Sequence, residues 1–287
     1  MSRHGRGKHY DPSRAFAERV FSVVYAGDWA RRAAAILPGA AQLRLLRHRL
    51  ALLPPGTPPL RLAFASDLHV GPTTPPSLLA RAFELLADEA PDVLLLGGDY
   101  VFLEASPARV AEIVRLVSRV PARRKIAVLG NHDLWTNHAA IEDGLRAAGV
   151  EVLINQSTLL DAPWSRVRVA CLDEPWTGEP DAASALSGRR PHEILIVLCH
   201  APDGLTFLSP GDAALFVCGH THGGHVALPS GPIVVPPGPL SRRYPSGRYD
   251  IDGTRLFVSR GIGNTEAPFR LYAPPDVSLF ELEAAAG

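Results

Sequence analysis

The sequence is poor in cysteine and has no excess of charge of either sign. Among its 287 residues there are three cysteines, Cys171, Cys199 and Cys218, each within an apolar run. This small, odd number predicts buried reduced thiols in a reducing compartment and excludes a disulfide framework. Lys and Arg together number 29, as do Asp and Glu, so the composition does not support binding of nucleic acid.

Long hydrophobic runs are also missing. The longest uncharged stretch near the N-terminus, residues 33–43, is shorter than the roughly 20 residues that cross a bilayer, and it contains Pro38. We therefore expect a cytoplasmic protein, with peripheral contact to the inner face of the membrane as the alternative. A chain of this length can bury the core of one large α/β domain.

The N-terminal segment differs in composition from the rest of the chain. Residues 1–13 are basic and polar, which predicts disorder. Within residues 14–36 apolar side chains recur at helical spacing, at Phe16, Val20, Val23 and Val24. This spacing predicts either a helix packed on the domain, which we favour, or a membrane-surface helix with Trp29 and two arginines at the headgroup level.

The rest of the chain divides at a proline-rich connector. Residues 42–53 predict an edge strand, segment 54–59 is the connector, and we expect one main domain at residues 60–287 beside an N-terminal unit of residues 14–59. The first half of the main domain alternates strands and helices, which predicts parallel strands with helical crossovers. The second half has more strands, and two packed sheets with outer helices fit both halves. The predicted strands are Leu60–Ser66, Val93–Leu96, Ile126–Leu129, Val167–Cys171, Ile194–Cys199, Ala214–Cys218, Ile233–Val235, Arg255–Ser259 and Ser278–Leu282.

Five apolar runs end in side chains that bind metal ions. In chain order these side chains are Asp67 and His69, then Asp99, then Asn131 with His132 and Asp133, then His200, and finally His220 and His222. Ligands bind beyond the carboxyl ends of the strands in an open α/β sheet, so five such ends side by side would form one cleft. Asp-x-His or Gly-Asp alone is a common turn, but together and in this order these motifs indicate a site.

The chemistry of these side chains indicates divalent metal. Nitrogen and oxygen ligands without thiolate suit Mn, Fe, Zn or Co. Cys199 and Cys218 lie near two of the histidines, but a strand residue next to a ligand points to the other face, so we favour buried thiols. Seven ligands exceed the need of one ion and suit two ions that share Asp99. Two ions about 3.5–4 Å apart can hold a bridging hydroxide and clamp the oxygens of a phosphoryl displacement.

With these motifs the sequence resembles the calcineurin-like metallophosphoesterases. Five blocks match in family order, namely Ser66-Asp67-Leu68-His69, Gly98-Asp99-Tyr100, Gly130-Asn131-His132-Asp133, Cys199-His200-Ala201-Pro202-Asp203 and Gly219-His220-Thr221-His222-Gly223-Gly224. The resemblance implies a four-layer αββα sandwich and a dinuclear hydrolase of phosphoric or diphosphoric esters. Around one ion it places Asp67, His69, Asp99 and His222, and around the other Asp99, Asn131, His200 and His220. It also implies that His132 is a general acid or oxyanion stabiliser whose imidazole is oriented by Asp133.

Three further stretches resemble a bacterial subgroup that includes UDP-2,3-diacylglucosamine hydrolases of the LpxG type and YkuE-like proteins. They are Gly98-Asp99-Tyr100-Val101, Gly223-Gly224 and Ser259-Arg260-Gly261-Ile262-Gly263. This resemblance implies a lipid-linked nucleotide sugar as substrate, as in lipid A biosynthesis, and makes Tyr100, Arg260 and His225 candidates for contact with it. His225 stands where these relatives usually have glutamine; it contacts substrate or caps the turn, and we favour the cap.

Two other functions stay open. A phosphodiesterase or nuclease acting on nucleotides would use the same site, although the neutral net charge argues against long nucleic acid. A non-catalytic scaffold is expected to lose ligands, and this sequence keeps all seven. The choice of substrate depends on loops such as 173–192 and 236–253, which show no recognisable pattern.

Overall fold

The computed structural model of the chain describes residues 5–36, 42–228, 231–232 and 238–285. The strands are β1 (Arg44–Leu53), β2 (Leu60–Ala65), β3 (Val93–Leu96), β4 (Arg124–Ala127), β5 (Glu151–Val152), β6 (Gln156–Leu159), β7 (Val167–Cys171), β8 (Ile194–Leu198), β9 (Leu215–Cys218), β10 (Ala227–Leu228), β11 (Gly231–Pro232), β12 (Gly247–Ile251), β13 (Thr254–Val258) and β14 (Asp276–Ala284). The helices are α1 (Pro12–Val24), α2 (Trp29–Ile36), α3 (Pro76–Asp88), α4 (Pro107–Ser118), α5 (Asn131–Leu134), α6 (His138–Ala147), α7 (Ala182–Ala185) and α8 (Pro239–Arg243).

One six-stranded sheet joins the first and last strands of the described chain. Its order is β1-β14-β2-β3-β4-β5. Strands β2 to β5 run parallel, as the alternating first half of the sequence predicts, and α3, α4 and α6 lie in the crossovers between them. β14 lies between β1 and β2, parallel to β1 and antiparallel to β2.

The other six-stranded sheet has the order β12-β13-β9-β8-β7-β6. Its four central strands are parallel, and the outer strands β12 and β6 are antiparallel to their neighbours. The sequence did not predict β5, β6 or β12, because these short strands carry few apolar residues and lie at sheet edges with partly exposed faces. The predicted strand Ile233–Val235 falls outside the described residues.

The two sheets face each other across one apolar layer. Successive residues of β2 alternate between the two sides of the strand, because the side-chain period of a strand is two. Leu62 and Phe64 pack with the second sheet, whereas Ala63 and Ala65 pack with the helices outside the first sheet. Helix α7 and the single-turn segment 202–207 cover the outer face of the second sheet. The predicted four-layer αββα sandwich is confirmed.

The N-terminal helices contact this sandwich through a face that the sequence did not indicate. The apolar spacing placed Phe16 and Val23 on the packing face of α1, but these side chains are 70% and 72% exposed. The opposite face carries Phe21 and Tyr25, which pack with Phe102 of the main domain. None of the helices within the described ranges is long and apolar enough to cross a membrane.

Residues 5–10, for which the composition predicts disorder, make specific contacts. The guanidinium of Arg6 donates two hydrogen bonds to the carboxylate of Asp173, at 2.6 and 2.7 Å. The indole Nε1 of Trp135 donates to the carbonyl of Lys8 at 2.8 Å. The basic composition suggested a free tail, but Arg6 pairs with a buried carboxylate of the main domain that lies 167 positions away in the sequence.

The layer between the sheets leads to a prediction for stability. Phe280 is 1% exposed, so replacing it by Ala leaves a cavity and should lower the free energy of unfolding by about 3–5 kcal/mol. Urea unfolding followed by circular dichroism measures this change. Leu159→Ala, at a position that is 38% exposed, is the matched control and should change that free energy by no more than about 0.5 kcal/mol. Equal losses in the two variants would contradict this assignment of the core.

Candidate metal centre

The loops after β2, β3, β4, β8 and β9 meet at one end of the sandwich. They bring together three overlapping groups of side chains that could hold a metal ion: Asp67 with His69 and His222, His69 with Asp99 and His132, and Asp99 with His200 and His220. Asn131 joins the last group through its amide oxygen. The structure thus places all seven predicted ligands, together with His132, in one buried cluster.

The backbone of this cluster is strained. Five of the seven predicted ligands have positive φ: +54° at Asp67, +43° at His69, +55° at Asp99, +73° at His220 and +52° at His222. Such a conformation costs a residue other than glycine on the order of 1–3 kcal/mol and persists where the surrounding structure holds it. Strain of this kind is typical of functional sites, where side chains must be aimed at a common point.

Two glycines give the carboxylates the space that they need. A Cβ on Gly219 would lie 2.1 Å from Oδ2 of Asp67, and a Cβ on Gly130 would lie 2.2 Å from Oδ1 of Asp99. Both distances are far shorter than a van der Waals contact. Glycine at these positions therefore allows the loop backbone to approach each carboxylate closely.

The first ligand group contains Asp67, His69 and His222. The Nε2 atoms of the two imidazoles are 3.1 Å apart, and Nε2 of His222 lies 3.5 Å from Oδ1 of Asp67. The buried guanidinium of Arg270 donates to Nδ1 of His222 at 2.9 Å, and because a guanidinium only donates, the proton of the neutral ring is on Nε2. For His222 to hold a metal ion through Nε2, the lone pair of this nitrogen would have to be free of its proton.

The second ligand group is arranged around His200. Its Nε2 lies 3.3 Å from Oδ2 of Asp99, 3.1 Å from Oδ1 of Asn131 and 3.2 Å from Nδ1 of His220. On the other side of the ring, Nδ1 donates to the carbonyl of Gly97 at 2.8 Å. This hydrogen bond orients the imidazole and directs Nε2 toward the other ligands, as is usual for a histidine that binds metal.

The donor set fits a divalent cation. Nitrogen and oxygen ligands about 2.0–2.2 Å from one ion lie about 3–3.5 Å from each other, which is the spacing in both groups. Burial disfavours charge on the imidazole of His200, yet the carboxylates of Asp99 and Asp67 raise its pKa to about 10. The cluster therefore attracts positive charge at this point, and a divalent ion would meet that requirement with the available ligands.

Asp99 is common to both ligand groups. Its Oδ2 lies 3.5 Å from Nε2 of His69 and 3.3 Å from Nε2 of His200, and its Oδ1 accepts the backbone N–H of His132 at 2.9 Å. Burial opposes ionisation of this carboxyl, but the surrounding imidazoles hold the pKa of Asp99 well below its usual value. Asp99 is therefore an ionised carboxylate between the two sets of ligands.

His132 lies beside the ligands with one N–H available. Its ring is edge-to-face with that of His69, with centroids 4.9 Å apart. Arg14 donates from Nη2 to Nδ1 of His132 at 3.3 Å, so the proton of the neutral ring is on Nε2. Burial lowers the pKa of His132, and Arg14 lowers it further, which favours this neutral form. The neutral ring can therefore donate a hydrogen bond from Nε2 to a group in the site.

Asp133 does not orient His132, in contrast to what the resemblance implied. Its carboxylate accepts the backbone N–H groups of Asp99, Tyr100 and Gly130, at 2.8, 2.8 and 2.9 Å. Three backbone donors occupy the two oxygens, so the side chain turns away from the imidazole. Asp133 instead fixes the loop that carries Asp99.

The three candidate substrate contacts also lie differently. Tyr100 is fully buried, and its hydroxyl donates to the carbonyl of Val128 at 3.0 Å, so it belongs to the core and not to the site. Arg260 donates to Asp276 at 3.3 Å and does not line the cavity over the ligands. The imidazole of His225 lines that cavity, and its Nε2 donates to the carbonyl of Ala267 at 2.9 Å.

Cys199 and Cys218 belong to none of the metal-binding groups found in the described part of the chain. Their Sγ atoms lie near the backbone carbonyls of Asp173 and Phe257, at 3.8 and 3.5 Å. All three cysteines are buried and free. Burial raises the pKa of Cys199 well above its usual value, which keeps the thiol protonated.

A cavity of about 580 Å³ opens over the ligands. Part of its wall is aromatic: the rings of Trp135 and Trp176 are edge-to-face at 5.6 Å, and the ring of His9 stacks on Trp176 at 5.4 Å. Arg14 and Glu266 also line it. No motif in the sequence indicated these residues. Trp135 stands two positions after the motif that ends at Asp133, but His9 and Arg14 reach the site only through tertiary structure.

Comparison with known proteins agrees with this geometry. A family model described as calcineurin-like phosphoesterase matches residues 60–224. Phosphodiesterase YaeI of Escherichia coli is 32% identical over 243 residues, which cover 83% of this chain and 87% of that protein. The metallophosphoesterase YkuE of Bacillus subtilis is 30% identical over 201 residues, or 69% of this chain and 70% of that protein. The chain spans 49% of the length of a solved structure that it matches, the 5'-nucleotidase precursor of Thermus thermophilus, with 71% of this chain covered, 16% identity and a TM-score of 0.43.

The central position of Asp99 leads to a prediction for metal content. Asp99→Asn should lose most of the bound metal, because one neutral amide replaces the charge that both ligand groups share. His132→Gln should keep the metal content of the wild type, because His132 is not among the seven predicted ligands. The metal content of each variant is measured by elemental mass spectrometry after reconstitution with metal and gel filtration. Equal metal loss in the two variants would contradict this division between ligands and catalyst.

Proposed function

The chain belongs to the calcineurin-like phosphoesterase family, and on that premise we propose that it is a two-metal enzyme that cleaves a phosphodiester or pyrophosphate bond. Its relatives and its family make it a metal-dependent phosphohydrolase. The observation that carries the finer proposal is Asp99, whose Oδ2 is 3.3 Å from one ligand group and 3.5 Å from the other. A carboxylate in that position is suited to bridging two ions.

The proposed ligand shells follow from the two groups. Asp67, His69, His222 and Asp99 would hold one ion, and Asn131, His200, His220 and Asp99 would hold the other. Mixed imidazole, carboxylate and amide ligands without thiolate favour Mn, Fe, Zn or Co. When bound, the ions supply an activated water and neutralise charge on the phosphate oxygens.

The protein's own contribution to catalysis centres on His132. The N–H at Nε2 of its neutral ring can donate a hydrogen bond to the departing oxygen or to the phosphate oxygen that gains charge. Asp133 contributes indirectly, because its bonds to three backbone N–H groups hold the loop of Asp99 in its strained conformation. The aromatic wall of Trp135 and Trp176 excludes water from one side of the cavity.

The proposed target is a phosphate group in which two of the four oxygens carry a substituent, as in a phosphodiester or a substituted pyrophosphate. The relative named a phosphodiesterase is the one that aligns with 83% of this chain, which favours diesters over monoesters. The resemblance to UDP-2,3-diacylglucosamine hydrolases favours a pyrophosphate-linked lipid substrate. In both cases the attacked phosphorus has one leaving oxygen and one substituent that stays. Nucleotide phosphodiesters are the second candidate class.

The exposed face of α1 favours the lipid-linked substrate. Phe16, Val20, Val23 and Val24 are 40–72% exposed on one side of the helix. Trp29 is 49% exposed, and Arg32, in the next helix, is exposed as well. An apolar helix face with an aromatic ring and cations nearby is typical of helices that lie in the interface of an anionic bilayer. We propose that this face brings the cavity, which α1 also lines, to a membrane surface.

A substrate panel tests the proposed reaction. With Mn²⁺, bis(4-nitrophenyl) phosphate and UDP-2,3-diacylglucosamine should be hydrolysed faster than the monoester 4-nitrophenyl phosphate. The reason is that the site is proposed to act on phosphates with two substituted oxygens. His132→Gln should lower kcat by about 10²–10⁴-fold with little change in metal content. Phosphate, nitrophenol and UMP release measure the rates. A preference for the monoester, or no turnover with any of the four metals, would overturn the proposal.

Vesicle binding tests the membrane face. Replacing Phe16 and Val23 by Asp should lower co-sedimentation with phosphatidylglycerol vesicles by about tenfold or more, because two charges replace the inserted side chains. Hydrolysis of the soluble diester should stay unchanged. Leu159→Asp, which adds a charge at an exposed position of β6, is the control and should bind like the wild type. Wild-type protein that fails to bind these vesicles, or a double variant that binds equally well, would refute the membrane contact.

A further inference from the structure

Arg14 reaches the centre of the site from outside the matched family region. It lies in α1, whereas the family match begins at residue 60. Its Nη2 is 3.3 Å from Nδ1 of His132, a contact between residues 118 positions apart in the sequence. Arg14 also lines the cavity over the metal ligands. Arg14, a residue of the N-terminal segment, thus contacts His132, the side chain that we propose as a hydrogen-bond donor in the reaction.

The guanidinium of Arg14 is held on three sides. Its Nε donates to Oε1 of Glu18 and its Nη1 to Oε1 of Glu266, both at 3.0 Å. Its Cζ lies 4.6 Å from the centroid of the Trp135 ring, so the plane of the guanidinium is supported by an aromatic face. Two carboxylates and an aromatic face fix the orientation of this planar donor, and that orientation directs one N–H of Nη2 toward Nδ1 of His132.

The surroundings of Arg14 indicate orientation as its role, and not attraction of anions. The carboxylates of Glu18 and Glu266 both bind the guanidinium, so the group as a whole brings no excess of positive charge to the cavity. Glu18 is 2% exposed, which keeps this pairing away from water. These contacts therefore support orientation of His132 as the role of Arg14.

Hydrogen bonds from two tyrosines, one just before α1 and one just after it, fix the position of the helix that carries Arg14. The hydroxyl of Tyr10 donates to Oε2 of Glu18 at 3.1 Å, and the hydroxyl of Tyr25 donates to the backbone carbonyl of Glu266. Tyr25 is buried with Phe102. These contacts set the position of α1 relative to Glu266 and Trp135, and hence the position of the guanidinium.

We propose that Arg14 is a positioning residue for the phosphoryl transfer, an inference that rests on the role proposed for His132. Arg14 occupies Nδ1 of His132 as a hydrogen-bond acceptor and thereby holds the single ring proton on Nε2, with the ring in one orientation. No proton or electron moves to or from Arg14. The N-terminal helix is therefore a part of the active site that the family region alone does not contain.

Substitution of Arg14 tests this inference in the full-length, metal-loaded protein. Arg14→Ala should lower kcat for bis(4-nitrophenyl) phosphate by about 10–10²-fold, with KM and metal content close to wild type, because the ring of His132 loses its orientation. Added guanidinium should restore part of the lost rate. The kcat of Arg14→Lys should lie between those of the wild type and Arg14→Ala, since an ammonium donates hydrogen bonds but lacks the planar fork of a guanidinium. Arg19→Ala, on the same helix but facing a different cavity, is the matched control and should keep wild-type kcat.

A second readout does not depend on turnover. ¹⁵N NMR of histidine-labelled protein, with His132→Gln to assign the signal, should show the Nε2–H form of His132 in the wild type and a mixture of both tautomers in Arg14→Ala. Wild-type kcat in Arg14→Ala, an unchanged tautomer, or loss of metal in parallel with activity would overturn the role of Arg14. An inactive but metal-loaded wild type would instead overturn the proposed function, and the NMR result would still decide whether Arg14 sets the tautomer.

Discussion

Buried charge at the ends of five strands is the constraint on which the rest of the structure depends. The carboxylates of Asp67 and Asp99 are at most 2% exposed and lie among imidazoles whose nitrogens face each other at 3.1–3.2 Å. Burying charge without compensation is costly. Protons alone compensate this cluster poorly, because several imidazole nitrogens and carboxylate oxygens direct their lone pairs at the same point. Divalent cations resolve this conflict, so the cluster and its proposed cofactors are one electrostatic unit.

The sandwich makes this concentration of charge tolerable. The apolar layer between the sheets, with Phe64 and Phe257 at its centre, supplies a rigid base from which both sets of loops emerge. The strained turns are held by bonds that cross between loops, such as those from Asp133 to the backbone of Asp99. Where side chains would collide, as between Asp99 and residue 130, the sequence has glycine. The stability of the core thus supports a local conformation that is unfavourable on its own.

The parts that could be predicted from sequence are those with a local signature. Apolar strand segments that alternate with helical segments identified the parallel strands. The polar residues after these segments identified the ligand set, because the end of a strand fixes where the next side chains lie. The hydrogen-bond donors to Asp133 and the burial of Tyr100 could not be predicted, since both depend on how the loops fold over each other. Edge strands such as β12 were missed because a half-exposed strand has no strong apolar pattern. The N-terminal segment was the hardest, because its partners lie more than 100 residues away.

Helix α1 shows why an apolar pattern alone did not identify the buried face. Its spacing of Phe16, Val20 and Val23 is that of a helix packed on a core, yet these residues face outward. The inward face has a mixed character, with Arg14 and Glu18 beside Phe21, because it meets a polar cavity as well as an apolar cluster. A helix whose polar side is buried and whose apolar side is exposed has the reverse of the usual amphipathic arrangement. The buried polar side follows from the position of α1 over the charged cavity, and the exposed apolar side is the one for which we propose a membrane contact.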